Sequence, residues 1–537
     1  MASTLKHVDI EQELRNEIRS FANKINKELK KDEAIKKYNL TIDPKDRADL
    51  FKKTANGVLL CHIINKIEPD TIPTKMINYG YPDAEPPMHP FKVVDNLNLA
   101  INSANAMGIK TMGATYSTIT QGSVAIVLGL IWQMVEKLSL KDVNAIKHPG
   151  LINIVPGDKH IGEYSEEELL LMWVNHHLEK NELYDGKKVT NLDKDFQDGS
   201  VYIALMKQVQ PDDLMPPFTM AKFKADTCER RIEVVKMAER IGLDEFIDVE
   251  DMENGEKKST TIFLAELFNL HPALGEDDCE AWIDPDGTEE KTYKNWINSI
   301  GLDGVKPMTL FYPPMMNGLT YLKIMDLLEP GIVDWKRVPT EEQMNNRLRG
   351  PMLKMINVNY VIETATKMKN VEIISFSKDH ILKGDPKMSK ALTWQLLSIY
   401  TLSVIQDFLG EDVTSPRAVE NKIIKWAQEK LISADKTSTF RNFADTSLAD
   451  GKVLADLCDA IQPGSVKYEY LSGVPQEDIK YILAVCKMIG AKIYASAFHF
   501  EEETFDRKMV LTVFACLMKV DLVDKKKDKD DKDDCTC

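Results

Sequence analysis

One pattern of apolar and polar positions recurs four times along the chain. It is seen in NGVLLCHIINKIEP (56–69), DGSVYIALMKQVQP (198–211), NGLTYLKIMDLLEP (317–330) and DGKVLADLCDAIQP (450–463). Each copy sets Gly and Pro 12 residues apart: 57 and 69, 199 and 211, 318 and 330, 451 and 463. The third, sixth, seventh and tenth positions after the Gly are apolar in every copy. They read Leu60, Ile63, Ile64 and Ile67; Tyr202, Leu205, Met206 and Val209; Tyr321, Ile324, Met325 and Leu328; Leu454, Leu457, Cys458 and Ile461. Spacing of 3-4-3 marks one face of an α-helix, whereas a half-buried strand would alternate. The proline closes the helix, because the residue before it is pushed out of helical backbone space. Asp or Asn ahead of each Gly predicts a turn or cap at the entry.

Around this helix each copy repeats three further segments. Upstream lies an amphipathic stretch with Trp and, two places on, Asn or Gln: Trp173 and Asn175, Trp296 and Asn298, Trp426 and Gln428. The first copy departs, since aligning KINKEL with WVNHHL puts Lys24 at the Trp position, with Phe21 one turn earlier as a candidate filler. Downstream come a helix ending near Gly (at Asn370 in the third copy) and an apolar closing helix, such as VLGLIWQMV or VFACLMKV. The fold class expected is all-α, with four domains of about 110 to 130 residues, a comfortable domain size. The boundaries expected are 11–141, 164–275, 288–409 and 417–522, with 523–537 a charged, unstructured tail. Copies one and three share NLN/NVN and LIWQM/LTWQL, which two and four lack. That alternation implies duplication of a two-domain unit, giving two tandem pairs. Composition shifts place linkers at 147–165, 272–287 and 410–417.

Composition narrows the function. With 43% hydrophobic and 28% charged residues, the chain falls in the range of packed domains. A net charge of -16 argues against a general nucleic-acid binder, which needs a basic surface to displace phosphate counterions. The eight cysteines are scattered, with no CxxC pair, and several sit in apolar runs; a reducing, cytoplasmic setting is expected. The N-terminus is too polar for a signal peptide, and the longest apolar run, Val124 to Val135, is too short to span a bilayer. No phosphate loop, dinucleotide fingerprint, HExxH or GxSxG appears, so neither an enzyme nor a cofactor is expected. The adjacent histidines in NHH (175–177) point about 100° apart on a helix and do not converge on a metal.

These segments resemble calponin-homology domains. The phrases LNLAINSA, FNLHPALG and VFACLM in an alternating tandem of four are similar to the fimbrin (plastin) family over about residues 11 to 522. The resemblance implies that each pair is an actin-binding domain. A monomer carrying two of them would cross-link filaments into tight bundles, aided by the effective concentration that a short linker provides. A single-filament stabiliser and a microtubule or signalling adaptor are the alternatives. The family usually carries two calcium-binding EF-hands before its first repeat, whereas about ten residues precede the first helix expected here. DKDFQDG (193–199) and DPDG (284–287) both misplace the loop glycine, so direct calcium control is not expected.

The opening segment 13–31 carries Arg15, Arg19, Lys24, Lys27, Lys30 and Lys31 at spacings that set much of this charge on one broad helical flank. In so acidic a protein such a flank is a candidate docking strip for an acidic filament. The family's contacts lie on the opening and closing helices of the first domain of each pair, with a part from the first helix of the second. On that basis the resemblance adds Gln121, Lys137 and Lys141, Lys180, then Lys291, Lys294 and Lys390, and Lys422 and Lys425.

Overall fold

A computed structural model describes the 537-residue chain except residues 1, 158, 182–183, 185–186, 211–225, 275–286, 347, 374–375, 410–415 and 535–537. It gives no side-chain surroundings for 2–13, 404–409, 416 and 524–534. Every regular element among the described residues is a helix. The main helices fall four to a repeat. The first has α1 (Ala2–Leu29), α2 (Val58–Ile67), α3 (Pro90–Ala106) and α4 (Val124–Leu140). The second has α5 (Glu166–Glu179), α6 (Ser200–Val209), α7 (Thr227–Arg240) and α8 (Lys257–Leu270). The third has α9 (Thr288–Ile300), α10 (Leu319–Leu328), α11 (Gly350–Lys367) and α12 (Pro386–Leu409). The fourth has α13 (Pro416–Ser433), α14 (Lys452–Ile461), α15 (Pro475–Met488) and α16 (Arg507–Asp534).

The recurring Asp/Asn-Gly has a single physical cause. Each Gly is the N-cap of its helix, at φ 79, 80, 78 and 74° in chain order, a left-handed backbone that a Cβ disfavours. The residue before it then accepts the first free backbone N–H: Asn56 from Val58 at 3.1 Å, Asp198 from Ser200 at 2.9 Å, Asn317 from Leu319 at 2.9 Å and Asp450 from Lys452 at 2.8 Å. The helix so launched is α2, α6, α10 or α14, whose apolar face forms the core of its repeat.

The Asn or Gln two places after the Trp also has one job. Its amide pins a connecting loop to the opening helix. Asn175 bonds both the N–H and the C=O of Val189 at 2.9 Å, and Asn298 does the same to Met308 at 2.9 and 3.2 Å. Gln428 donates to Phe440 O at 2.9 Å. In the first repeat Asn26 makes the pair to Ile42, at 3.0 and 2.7 Å. The alignment that places Lys24 on the Trp position therefore matches the structure. Phe21 is buried beside it and stacks on Trp132 at 5.7 Å. His177 bonds Pro272 O through Nε2 at 3.1 Å, and among the described residues no group of His, Cys, Asp and Glu could hold a metal.

Packing divides the chain into two compact units. One comprises Met1–Pro69, Tyr79–His89 and Met112–Pro285, and the other Asp70–Asn78, Pro90–Thr111 and Asp286–Cys537. The main break falls within the acidic linker at 272–287, but two first-repeat segments, 70–78 and 90–111 with α3, belong to the second unit. There α3 lies against α15 and α9, with Asn102 Nδ2 donating to Lys487 O at 2.8 Å and the Tyr494 hydroxyl donating to Asn105 at 2.7 Å. Lys75 sits 5.0 and 4.9 Å from the rings of Tyr470 and Tyr481.

Among the described residues of the connecting segment 147–165 there is a 3-10 turn at Pro149–Ile154, with Leu151 buried. Helix α16 runs on to Asp534, into the segment expected to be unstructured. The linker segments 275–286 and 410–415 lie outside the described residues.

Candidate functional site

The cations expected to lie exposed on one flank of α1 divide: Arg15, Lys30 and Lys31 are exposed, whereas Arg19, Lys24 and Lys27 face another part of the first unit, where Lys24 is buried. Arg19 pairs with both Asp248 and Asp251, in the turn and short helix that precede α8. Lys24 pairs with Glu266 on α8 and with Glu28 at 2.8 Å on its own helix, while Lys27 reaches the second oxygen of Glu266 at 2.7 Å. The exchange is reciprocal, since Lys258 of α8 pairs with Glu17 of α1 and lies over the rings of Phe21 and Trp132 at 5.8 and 5.7 Å. Ser20 and Ser259 share a hydrogen bond at 2.7 Å, and Asn23 donates to Glu245 O at 2.6 Å. Together these contacts seat the second repeat on α1.

Lys24 is the centre of this contact. It is 1% exposed, and Glu266 is 7% exposed. Where Trp173 donates its indole N–H to Pro272 O and Trp426 to Asp521, each inside its own repeat, Lys24 reaches across to the second repeat. A buried ammonium demands a paired carboxylate, and Glu266 and Glu28 supply two. Burial raises the Glu28 pKa, but Lys24, Lys141 and Lys66 outweigh it and hold the carboxyl below its ordinary range. Burial dominates at Asp251 and pushes it up to about 7 against the pull of Arg19; its Oδ1 has no hydrogen-bond partner.

The other candidates divide by exposure. Arg15, Lys30, Lys31, Gln121, Lys180, Lys291 and Lys425 are exposed. Lys425 also lies 3.8 Å from Glu429. Lys422 is half-buried. Lys137 lies 3.9 Å from Glu166, and Lys141 donates to Lys66 O at 3.4 Å. In the second unit Lys294 donates to Thr309 O at 2.9 Å, and Lys390 pairs with Glu289 at 2.8 Å and Glu290 at 3.4 Å. Reading the sequence missed the acidic side, Asp248, Asp251 and Glu266. The signal available was a Glu inside the apolar run IFLAELFNL, opposite a Lys that had replaced a core Trp.

Comparison with known proteins agrees with this architecture. The calponin homology (CH) domain family matches at residues 15–139, 164–273, 287–401 and 417–522. Plastin-1 of Gallus gallus is 32% identical over 521 residues, which cover 93% of this chain and 79% of that protein. Plastin-3 of Homo sapiens is 30% identical over 518 residues, with the same coverage. The crystal structure of the actin-crosslinking core of Schizosaccharomyces pombe fimbrin superposes with a TM-score of 0.73 at 23% identity, over 94% of this chain and 99% of that one. Four calponin homology domains in tandem, with relatives of 30% identity or more aligned over 93% of the chain, make this chain a member of the fimbrin/plastin family.

Proposed function

We propose that this protein binds actin filaments and cross-links them into tight bundles, acting as a cytoplasmic, non-enzymatic monomer with one filament site in each pair of domains. The observation that carries the reading is the fourfold domain array matched along nearly the full chain to plastins. Among the described residues no helix is long and apolar enough to cross a membrane.

The internal pairing on α1 refines which residues can meet the filament. Arg15, Lys30 and Lys31 stand exposed on the opening helix and are the first to be offered to an acidic surface. Arg19, Lys24 and Lys27 are held by the second repeat and become available only when that contact opens. Filament and second repeat then compete for one strip of cations.

Sedimentation of the full chain with actin tests the reading. A bundler brings filaments down at low speed. Co-pelleting at high speed alone indicates a single-filament stabiliser, and no pelleting an adaptor. The full chain is the right reagent, because a cut at 275–286 would take α3 away from α9 and α15.

A further inference from the structure

Two thiols meet in the core of the fourth repeat. Cys458 on α14 and Cys486 on α15 are both fully buried, and their sulfurs are 3.4 Å apart. The two helices pack on each other, and 27 residues separate the cysteines in sequence, so the contact is tertiary. The thiol of Cys516 on α16 donates to Lys492 O at 3.1 Å. All five described cysteines are unbridged.

We propose that Cys458 and Cys486 form a reversible redox site, a dithiol that a small hydroperoxide converts into a disulfide stapling α14 to α15. One thiolate attacks the peroxide O–O bond, becoming a sulfenic acid and releasing water or an alcohol. The second sulfur then attacks the first, forming the S–S bond and expelling water. The two thiols together lose two protons and two electrons, and the peroxide takes up both. Closing the 3.4 Å gap to a bond of about 2.05 Å asks each sulfur to move by roughly 0.7 Å.

Burial sets the character of the site. The hydrogen bond shared with Cys486 and removal from water keep the Cys458 thiol well above its ordinary pKa, so thiolate is scarce and the first step is slow. The second step is fast, because the resolving sulfur is already in contact. The sulfenic acid is therefore captured before it can be oxidised irreversibly. Exposed Cys228 has no such neighbour among the described thiols and takes the reagents too bulky to enter the core. Once closed, the staple restricts the unfolded chain over a 27-residue loop and raises the unfolding midpoint of the fourth repeat.

The test treats the native full chain with hydrogen peroxide, quenches with an alkylating agent in denaturant, and maps disulfides by peptide mass. The expected result is a Cys458–Cys486 cross-linked peptide, lost on adding dithiothreitol. An upward shift of the fourth-repeat transition should accompany it, absent in Cys486→Ala. Full alkylation of both thiols after oxidation overturns the proposal. So does pairing of either with Cys516, or a disulfide that forms only when the chain is oxidised unfolded.

Discussion

Replacing Glu266 by Gln separates the two partners that the α1 strip can have. The substitution leaves every cation of the strip in place and removes only the internal acid. Lys24 keeps Glu28 at 2.8 Å, and Gln still offers an oxygen, so the loss falls below the 3–5 kcal/mol typical of breaking a buried pair outright. A charge-assisted hydrogen bond lost from a buried site gives about 2 kcal/mol. Lys27, whose side chain is 42% exposed, adds little to that figure. At 1.36 kcal/mol per tenfold, the open fraction of the α1–α8 contact rises about 30-fold. Apparent filament affinity rises by the same factor for as long as the closed form still dominates. Hydrogen exchange along α1 and α8 reports the opening, and high-speed sedimentation over a series of actin concentrations reports the affinity. Faster exchange with unchanged affinity would refute competition for the strip. Unchanged exchange would refute the role given to Glu266 itself.

Reversing Arg15, Lys30 and Lys31 to Glu, all exposed, should weaken filament binding and flatten its salt dependence while exchange along α8 stays as in the parent chain; normal binding would remove them from the interface. Asp251 gives a pH prediction. Its pKa of about 7 in the folded unit, against about 3.9 in an unfolded chain, means that it contributes stability below about pH 4 and loses this as pH rises through 7. His177, lowered to about 4 mainly by burial, acts oppositely in the same unit, its contribution being lost as pH falls from 6.5 toward 4. The informative quantity is thus the melting temperature of the parent minus that of Asp251→Asn, which should grow from pH 8 to 5.5; a flat difference would mean that Asp251 titrates normally. Finally, Gly451→Ala places a Cβ 2.7 and 2.8 Å from Ile479 and Ile482 at φ 74°, for a loss of about 2–4 kcal/mol. Gly464→Ala, at φ 81° in open space, should lose only about 1–2 kcal/mol, and equal losses in a denaturant titration would show that crowding by α15 is unimportant.

What could be read in advance depended on whether its cause was local. The Asp/Asn-Gly entry, the 3-4-3 apolar face and the proline stop are each fixed by backbone chemistry within a few residues, and they repeat because every copy solves the same packing problem. Even the odd copy was legible, since Asn26 keeps the loop-pinning role of Asn175 although its neighbouring Trp is gone. The candidate strip was legible only in part. A row of cations at helical spacing looks the same whether its partner is a filament or a carboxylate more than 200 residues away, and only tertiary structure brings Glu266 to Lys24. The position of α3 in the second unit is of the same kind: LNLAINSANA reads as a core helix, and nothing in it names Lys487 or Tyr494 as neighbours. Yet the Trp-to-Lys exchange did carry information. A lysine at a core position cannot be left unpaired, so its presence in the first repeat required an acid to be buried against it. Its own repeat provides Glu28, and the second acid comes from the next repeat. That requirement ties the first two domains together chemically as well as by chain connection, and it makes the first pair the one whose opening should respond to charge.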